Sequence, residues 1–207
     1  MLPRYNESMI IGIDEVGRGC WAGPLVAAAV ALPDVNDSNA SLLAALRDSK
    51  MLSRAQRTKL AAEIRQHAVA IGIGWVSAAR IDFYGLTAAV RMAMEEALNA
   101  SGQTSAEVVI DGNFNFLQHL DGGGYKISTL IKADATVPAV SAASIIAKVA
   151  RDEHMSLASR AFPEYGFEKH VGYGTALHRA ALAEHGICEL HRLSVKPVKA
   201  LVQLTDE

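Results

Sequence analysis

Two apolar runs near the N-terminus, MIIGIDEV at residues 9–16 and PLVAAAVAL at residues 24–32, constrain the fold most. Each reads as a buried strand, and buried strands need helices on the faces of their sheet. A glycine-rich turn, Gly17 to Gly23, joins them. The first run ends on two adjacent acids, Asp14 and Glu15, and the turn then sets Arg18 between two glycines. Like charges side by side at a sheet end cost energy unless a cation lies between them or water solvates them well.

The rest of the chain alternates in period. Ser53 followed by Gln56 starts a capping box, so RAQRTKLAAEIRQHA is expected to be a helix. DSNASLLAALRDSKMLS before it reads as loop with a short helical piece. VAIGIGWVS is a third strand, and GLTAAVRMAMEEALNA is a helix that stops at Ser101 and Gly102. AEVVIDG and YKISTLI are the fourth and fifth strands, the fourth ending on Asp111. The longest helix starts at Pro138, a residue suited to the first helical position. PEYGFEKHVGYGT reads as a loop, and ALHRAALAEHG as a helix closed by Gly186. Strands joined by short turns should pair antiparallel, and strands reached through helices should be parallel. The expectation is a mixed five-stranded α/β sheet flanked by helices, with a helical C-terminal part.

Composition removes several function classes. The chain has 207 residues, half of them hydrophobic and a fifth charged, which suits one soluble domain. MLPRYNESMI lacks the apolar core of a signal peptide, and the alanine-rich runs are broken well short of a membrane span. The two cysteines, Cys20 and Cys188, lack metal-site spacing and fit a reducing cytoplasm. A net charge of −2 argues against gripping nucleic acid by bulk charge. LHRLSVKPVKALVQL is locally basic through Arg192, Lys196 and Lys199; it reads as a solvated helix end, with a phosphate-binding surface as the alternative.

Asp14, Glu15, Asp111 and Asp134 all fall at or just after strand ends. If those strands are neighbours, the acids gather at one sheet edge. Carboxylates without Cys or His suit Mg²⁺ or Mn²⁺, and such a set is the protein's share of a two-metal phosphodiester hydrolase. Asp-Gly at 111–112 is also a common turn, and Asp134 also reads as a plain loop acid. Lys148 and Asp152, four apart on the long helix, read as a surface ion pair. Lys50 lies in a loop where it could meet a phosphate or solvent. Tyr173, between two glycines, is a core plug or a stacking platform for a sugar or base. The histidines read as surface or packing residues.

In order along the chain, GIDEVGRG…GP, DSKMLS, VVIDG, IKADA…AASIIAKVARD, YGFEKHVGYGT and HRLSVKPVKAL together resemble the type 2 ribonuclease H family, bacterial ribonuclease HII. The resemblance covers almost the whole chain. It implies a ribonuclease H-like fold forming one domain over residues 1–207, with about 162–207 as a helical extension. It implies endonucleolytic cleavage of the RNA strand in RNA–DNA hybrids and at single ribonucleotides in duplex DNA, with roles in ribonucleotide excision repair and DNA replication. It maps metal binding onto Asp14, Glu15, Asp111 and Asp134, and ribose recognition onto Gly17, Arg18 and Gly19. Junction recognition maps onto Tyr173 and a phosphate contact onto Lys50. A cytoplasmic monomer without membrane contact is expected, and contact with a sliding clamp is left open. The chain departs from the family pattern at Ala133, where Gly is usual, at Val195, where an aromatic is usual, and at Trp21, where smaller residues are common. A non-catalytic module of this fold would be expected to lose an acid, and a resolvase or transposase core would lack the glycine-flanked arginine and the Tyr173 loop.

Overall fold

A computed structural model describes residues 9–34, 40–47 and 52–205. Five strands form one sheet: β1 (Ile10–Val16), β2 (Leu25–Ala31), β3 (Ala70–Val76), β4 (Ala106–Asp111) and β5 (Tyr125–Leu130). Their order is β3-β2-β1-β4-β5. β2 pairs antiparallel with β1 and β3, while β4 runs parallel to β1 and β5 parallel to β4. The helices are α1 (Ala40–Arg47), α2 (Arg54–His67), α3 (Ala78–Tyr84), α4 (Leu86–Ala100), α5 (Pro138–Ala161), α6 (Phe167–His170), α7 (Ala176–His185) and α8 (Lys196–Thr205). Among the described residues, no helix is long and apolar enough to cross a membrane.

The expected mixed α/β sheet is present, but the pairing rule fails at two connections. β3 is reached through helices and is nevertheless antiparallel to β2. Two helices, α1 and α2, separate these strands, so the chain does not make the single-helix crossover that returns a strand parallel. β5 is reached without an α-helix and is nevertheless parallel to β4. The 112–124 connection, with one 3₁₀ turn at Gln118–Leu120, is long enough for a crossover by itself.

Alternation along β2 feeds two cores. Leu25, Ala27, Ala29 and Ala31 pack with Ile11, Ile13 and the buried face of α4. Val26, Ala28 and Val30 face α1, α2 and α5. Gly12 lets α5 lie directly on β1: a Cβ there would collide with the backbone of Ala139 and Val140. A third cluster, with Ala22, Met155, Tyr165, Phe167, Leu182 and Val198, ties the C-terminal helices to α5 and to the turn after β1.

Two helices fall outside the sequence expectation. α3 is capped by Ser77, whose hydroxyl accepts the Arg80 N–H. α6 is a single turn inside the expected 163–175 loop, bounded by Gly166 and Val171 in left-handed conformation. Among the described residues, the non-glycine residues with positive φ are Lys132 (59°) and Val171 (43°). For the β-branched Val171 this conformation is strained.

Candidate active site

The parallel run of β1, β4 and β5 brings their carboxyl ends to one sheet edge. Ile13 pairs with Ile110, so Asp14 and Asp111 follow at the next rung. Asp134 comes just beyond β5, in a 3₁₀ turn at Ala133–Ala135 before α5. Glu15 and Asp134 line one cleft of about 200 Å³ with Arg57, Ser144 and Lys148.

The protein itself holds three of these acids through its own donors. The Asp14 carboxylate accepts the Glu15 N–H at 2.8 Å and a hydrogen bond from Ser144. Burial pushes the Asp14 pKa up to about 7; Ser144 opposes this, and the negative charges of Glu15 and Asp111 add to it. Burial also raises the pKa of Glu15, against the pull of Arg18, whose guanidinium lies 3.2 Å from its carboxylate. Asp111 accepts the Ala133 N–H at 2.7 Å. With Glu15 drawn to Arg18 and Asp111 to Ala133, no three Asp, Glu, His or Cys side chains among the described residues converge as a ready-made ligand set. The donors are nonetheless carboxylates alone, and burial, with the charges of Glu15 and Asp111 added to it, makes a bare Asp14 carboxylate costly. That chemistry fits a hard divalent cation, which relieves the repulsion.

Ala133 is fully buried, and its N–H is nonetheless given to Asp111. Val195 packs at the margin of the C-terminal cluster.

The turn after β1 is built by its glycines. Gly17 has φ 96°, and a Cβ there would meet the Arg151 side chain and the Pro24 carbonyl. Gly19 is exposed, and among the described residues nothing beyond its own chain neighbours lies within 4 Å of where a Cβ would stand, so this side of the turn is open. Arg18 lies over the Phe116 ring at 5.8 Å as well as against Glu15. Tyr173 is 41% exposed. Its phenol pKa is raised, first by burial and then by the Cys20 thiol beside it, so the ring lies next to the turn. Trp21 packs on the same loop, over Gly174 and 5.7 Å from the His178 ring. Lys50 lies outside the described residues.

Several residues here carry no signal in the sequence. Arg151 and Arg192 are buried, and their guanidinium groups donate to backbone carbonyl oxygens. Arg151 donates to Pro24 O (2.8 Å), Val171 O (2.8 Å) and Ala22 O (3.1 Å). Arg192 therefore corrects the reading of its segment as a solvated helix end, because it binds the carbonyls of Gly17, Arg18 and Gly23. Of the segment's three basic residues, Lys196 and Lys199, on α8, are exposed as that reading requires. Lys148 does pair with Asp152, at 2.7 Å, but it also faces the acidic cleft. Ser144 and Arg57, also in the cleft, are not evident from the sequence, where the i,i+4 spacing of Ser144 and Lys148 on α5 is the available clue. Both cysteines are free, and His170, His178 and His191 are buried packing residues.

A model of the family described as ribonuclease HII matches residues 11–198. The ribonuclease HII of Chloroflexus aurantiacus is 44% identical over 98% of this chain and 94% of that protein. The crystal structure of ribonuclease H2 from Pyrococcus horikoshii shares the fold with a TM-score of 0.83 at 24% identity, over 96% of this chain and 99% of that one. Ribonuclease HII of Archaeoglobus fulgidus, solved in a complex with PCNA, is 30% identical with a TM-score of 0.76, over 90% of this chain and 94% of that one. The chain belongs to the ribonuclease HII family and is a metal-dependent nuclease of the ribonuclease H type.

Proposed function

We propose that this chain cuts the RNA strand of RNA–DNA hybrids and also cuts on the 5′ side of a single ribonucleotide in duplex DNA, leaving 3′-hydroxyl and 5′-phosphate ends. One observation carries this reading. Strand-end acids at one sheet edge adjoin a glycine turn open at Gly19, with the Tyr173 ring beside that turn.

In this reading Asp14, Glu15, Asp111 and Asp134 hold Mg²⁺ or Mn²⁺. When bound, two such ions supply an activated water and neutralise charge at the leaving oxygen. Ser144 and the Ala133 N–H orient Asp14 and Asp111 beforehand. Arg192 engages the carbonyls of Gly17 and Arg18, and the N–H groups of residues 20–23 are bonded within the fold, so the N–H groups of residues 17–19 are the donors offered to a 2′-hydroxyl, the group that separates RNA from DNA. Tyr173 stacks on the deoxyribose that follows the ribonucleotide. Lys148 and Arg57, lining the cleft, meet the backbone phosphates. The catalytic unit is one domain spanning residues 1–207, with about 162–207 as its helical extension, acting as a cytoplasmic monomer in ribonucleotide excision.

The test is a DNA duplex with one embedded ribonucleotide, incubated with and without Mg²⁺. Cleavage on the 5′ side of the ribonucleotide, dependent on the ion and lost in Asp111→Asn, supports the reading. Cleavage of all-RNA hybrid alone overturns its single-ribonucleotide part.

A further inference from the structure

The dipeptide His191–Arg192 links both elements assigned above to ribonucleotide recognition, the turn directly and the Tyr173 loop through His178. Arg192 holds the turn: Nη1 donates to Gly17 O at 2.7 Å and Arg18 O at 3.3 Å, while Nε and Nη2 donate to Gly23 O at 3.0 and 2.8 Å. A planar guanidinium reaches these carbonyls at once, which the single nitrogen of a lysine cannot do.

His191 reaches the Tyr173 loop through His178, and the proton positions along this chain are fixed by their partners. The Cys188 N–H lies 2.9 Å from His191 Nδ1, so that nitrogen accepts. The Cys188 carbonyl, at 3.2 Å from the same nitrogen, is the more distant group. A proton on Nδ1 would point at an N–H donor, so the His191 proton is on Nε2. That nitrogen lies 3.0 Å from His178 Nε2, which must therefore accept. The His178 proton is then on Nδ1, which donates to Tyr173 O at 3.0 Å. His170 fixes the preceding residue in the same way: its Nδ1 accepts the Gly172 N–H at 3.2 Å, and its Nε2 faces Tyr165 O at 2.8 Å. Its ring stacks on His178 with centroids 4.4 Å apart. Burial lowers the pKa of both His178 and His191, which keeps the relay neutral. The backbone closes the assembly, because the Arg192 N–H binds Trp21 O and the Trp21 N–H binds Gly172 O, each at 2.8 Å.

We infer that His191 and Arg192 are positioning residues that set the Gly17–Gly19 turn and the Tyr173 ring at a fixed separation, and thereby determine selectivity for a single ribonucleotide over a continuous RNA strand. This rests on the recognition roles proposed above for the turn and for Tyr173. A continuous RNA strand offers many registers for cleavage. A single ribonucleotide offers one, so misplacement of either element falls hardest on that substrate.

Two measurements test it. Long-range ¹H–¹⁵N correlation spectra of the wild-type protein at neutral pH should show His178 as the Nδ1–H tautomer and His191 as the Nε2–H tautomer. His178 found as Nε2–H, or protonated, overturns the relay whatever any variant does. The second measurement is the ratio of kcat/KM on a one-ribonucleotide duplex to that on an all-RNA hybrid. His178→Leu should lower this ratio by about tenfold, the scale of one lost stacking contact. His178→Asn, whose amide nitrogen reaches the Nδ1 position, should restore most of it. Arg192→Lys should lower it as well, and it carries the test if His178→Leu does not fold. A folded variant that loses both activities in equal proportion, or neither, overturns the positioning role. Wild type that cuts hybrid but not a single ribonucleotide overturns the recognition reading itself, and correct tautomers then mark a structural clamp only. Normal cleavage with the wrong tautomers overturns the relay alone.

Discussion

Asp111 at the end of β4 accepts the backbone N–H of Ala133, beyond the end of β5, at 2.7 Å. Two neighbouring strand ends are thereby tied by a main-chain donor that any residue other than proline supplies. The family's usual glycine at this position is therefore not required for the bond. Ala133→Gly should keep the Asp111 geometry and leave cleavage within about twofold, while added backbone entropy in the unfolded chain costs roughly 0.5–1 kcal/mol of stability. Paired activity and thermal-melting measurements check this. A large gain in activity would mean that the Ala133 methyl group displaces Asp134.

Asp14 gives a prediction with a defined sign in pH. Its folded pKa is about 7 against the 3.8 of an ordinary aspartate. Between those values the folded state binds the extra proton, so the stability of metal-free protein falls as pH rises through that window. Asp14→Asn removes the cost. The metal-free variant should melt several degrees above wild type at pH 8, at about 2–4 °C per kcal/mol for a chain of this size, and the difference should vanish near pH 4. Added Mg²⁺ should raise the melting temperature of wild type and not of the variant, because only an ion that binds the folded state stabilises it. Cleavage should fall by at least ~10²-fold, the scale of losing one preorganised charge-stabilising group.

Lys196 and Lys199 are the exposed cations of the C-terminal basic segment, in or near the first turn of α8. Phosphate contacts position without specifying sequence. Replacing both with Ala should weaken hybrid binding and reduce the slope of log affinity against log salt by about 0.9 per lost contact on duplex. The cleavage position should not move. An unchanged slope would assign these lysines to solvent.

What the sequence made legible was local. Asp14, Glu15 and Asp111 declare themselves as strand-end acids because the apolar runs before them are plain, and Pro138 marks the start of α5. What stayed hidden depends on packing between distant segments. Arg151 lies in a sequence, ARDE, that looks like solvated helix, and only the folded chain shows its guanidinium inserted among the carbonyls of residues 22, 24 and 171. α6 was hidden because one helical turn between Gly166 and Val171 is shorter than any hydrophobic period can reveal. The antiparallel direction of β3 is not legible in the sequence, because strand direction depends on the path of the connection and not on its composition.

Tyr173 is held from both ends of the residue. Its backbone carbonyl is held by His178 and its phenol lies against Cys20, so the ring has a fixed place beside the glycine turn while 41% of the residue stays exposed. A ring packed on the deoxyribose just 3′ of a ribonucleotide would be disturbed by an extra 2′-hydroxyl there. The preferred cut is then 5′ of the last ribonucleotide before DNA. Removing one such stacking contact costs roughly 1–3 kcal/mol, about tenfold or more in rate at a single ribonucleotide. Duplex affinity rests mainly on phosphates and should change much less. Tyr173→Phe should retain most of the activity, because stacking needs the ring and not the hydroxyl. Comparing wild type, Tyr173→Phe and Tyr173→Ala on one-ribonucleotide and all-RNA substrates separates these terms. If Tyr173→Ala cuts at a single ribonucleotide as fast as wild type, the ring is a packing residue and junction recognition lies elsewhere.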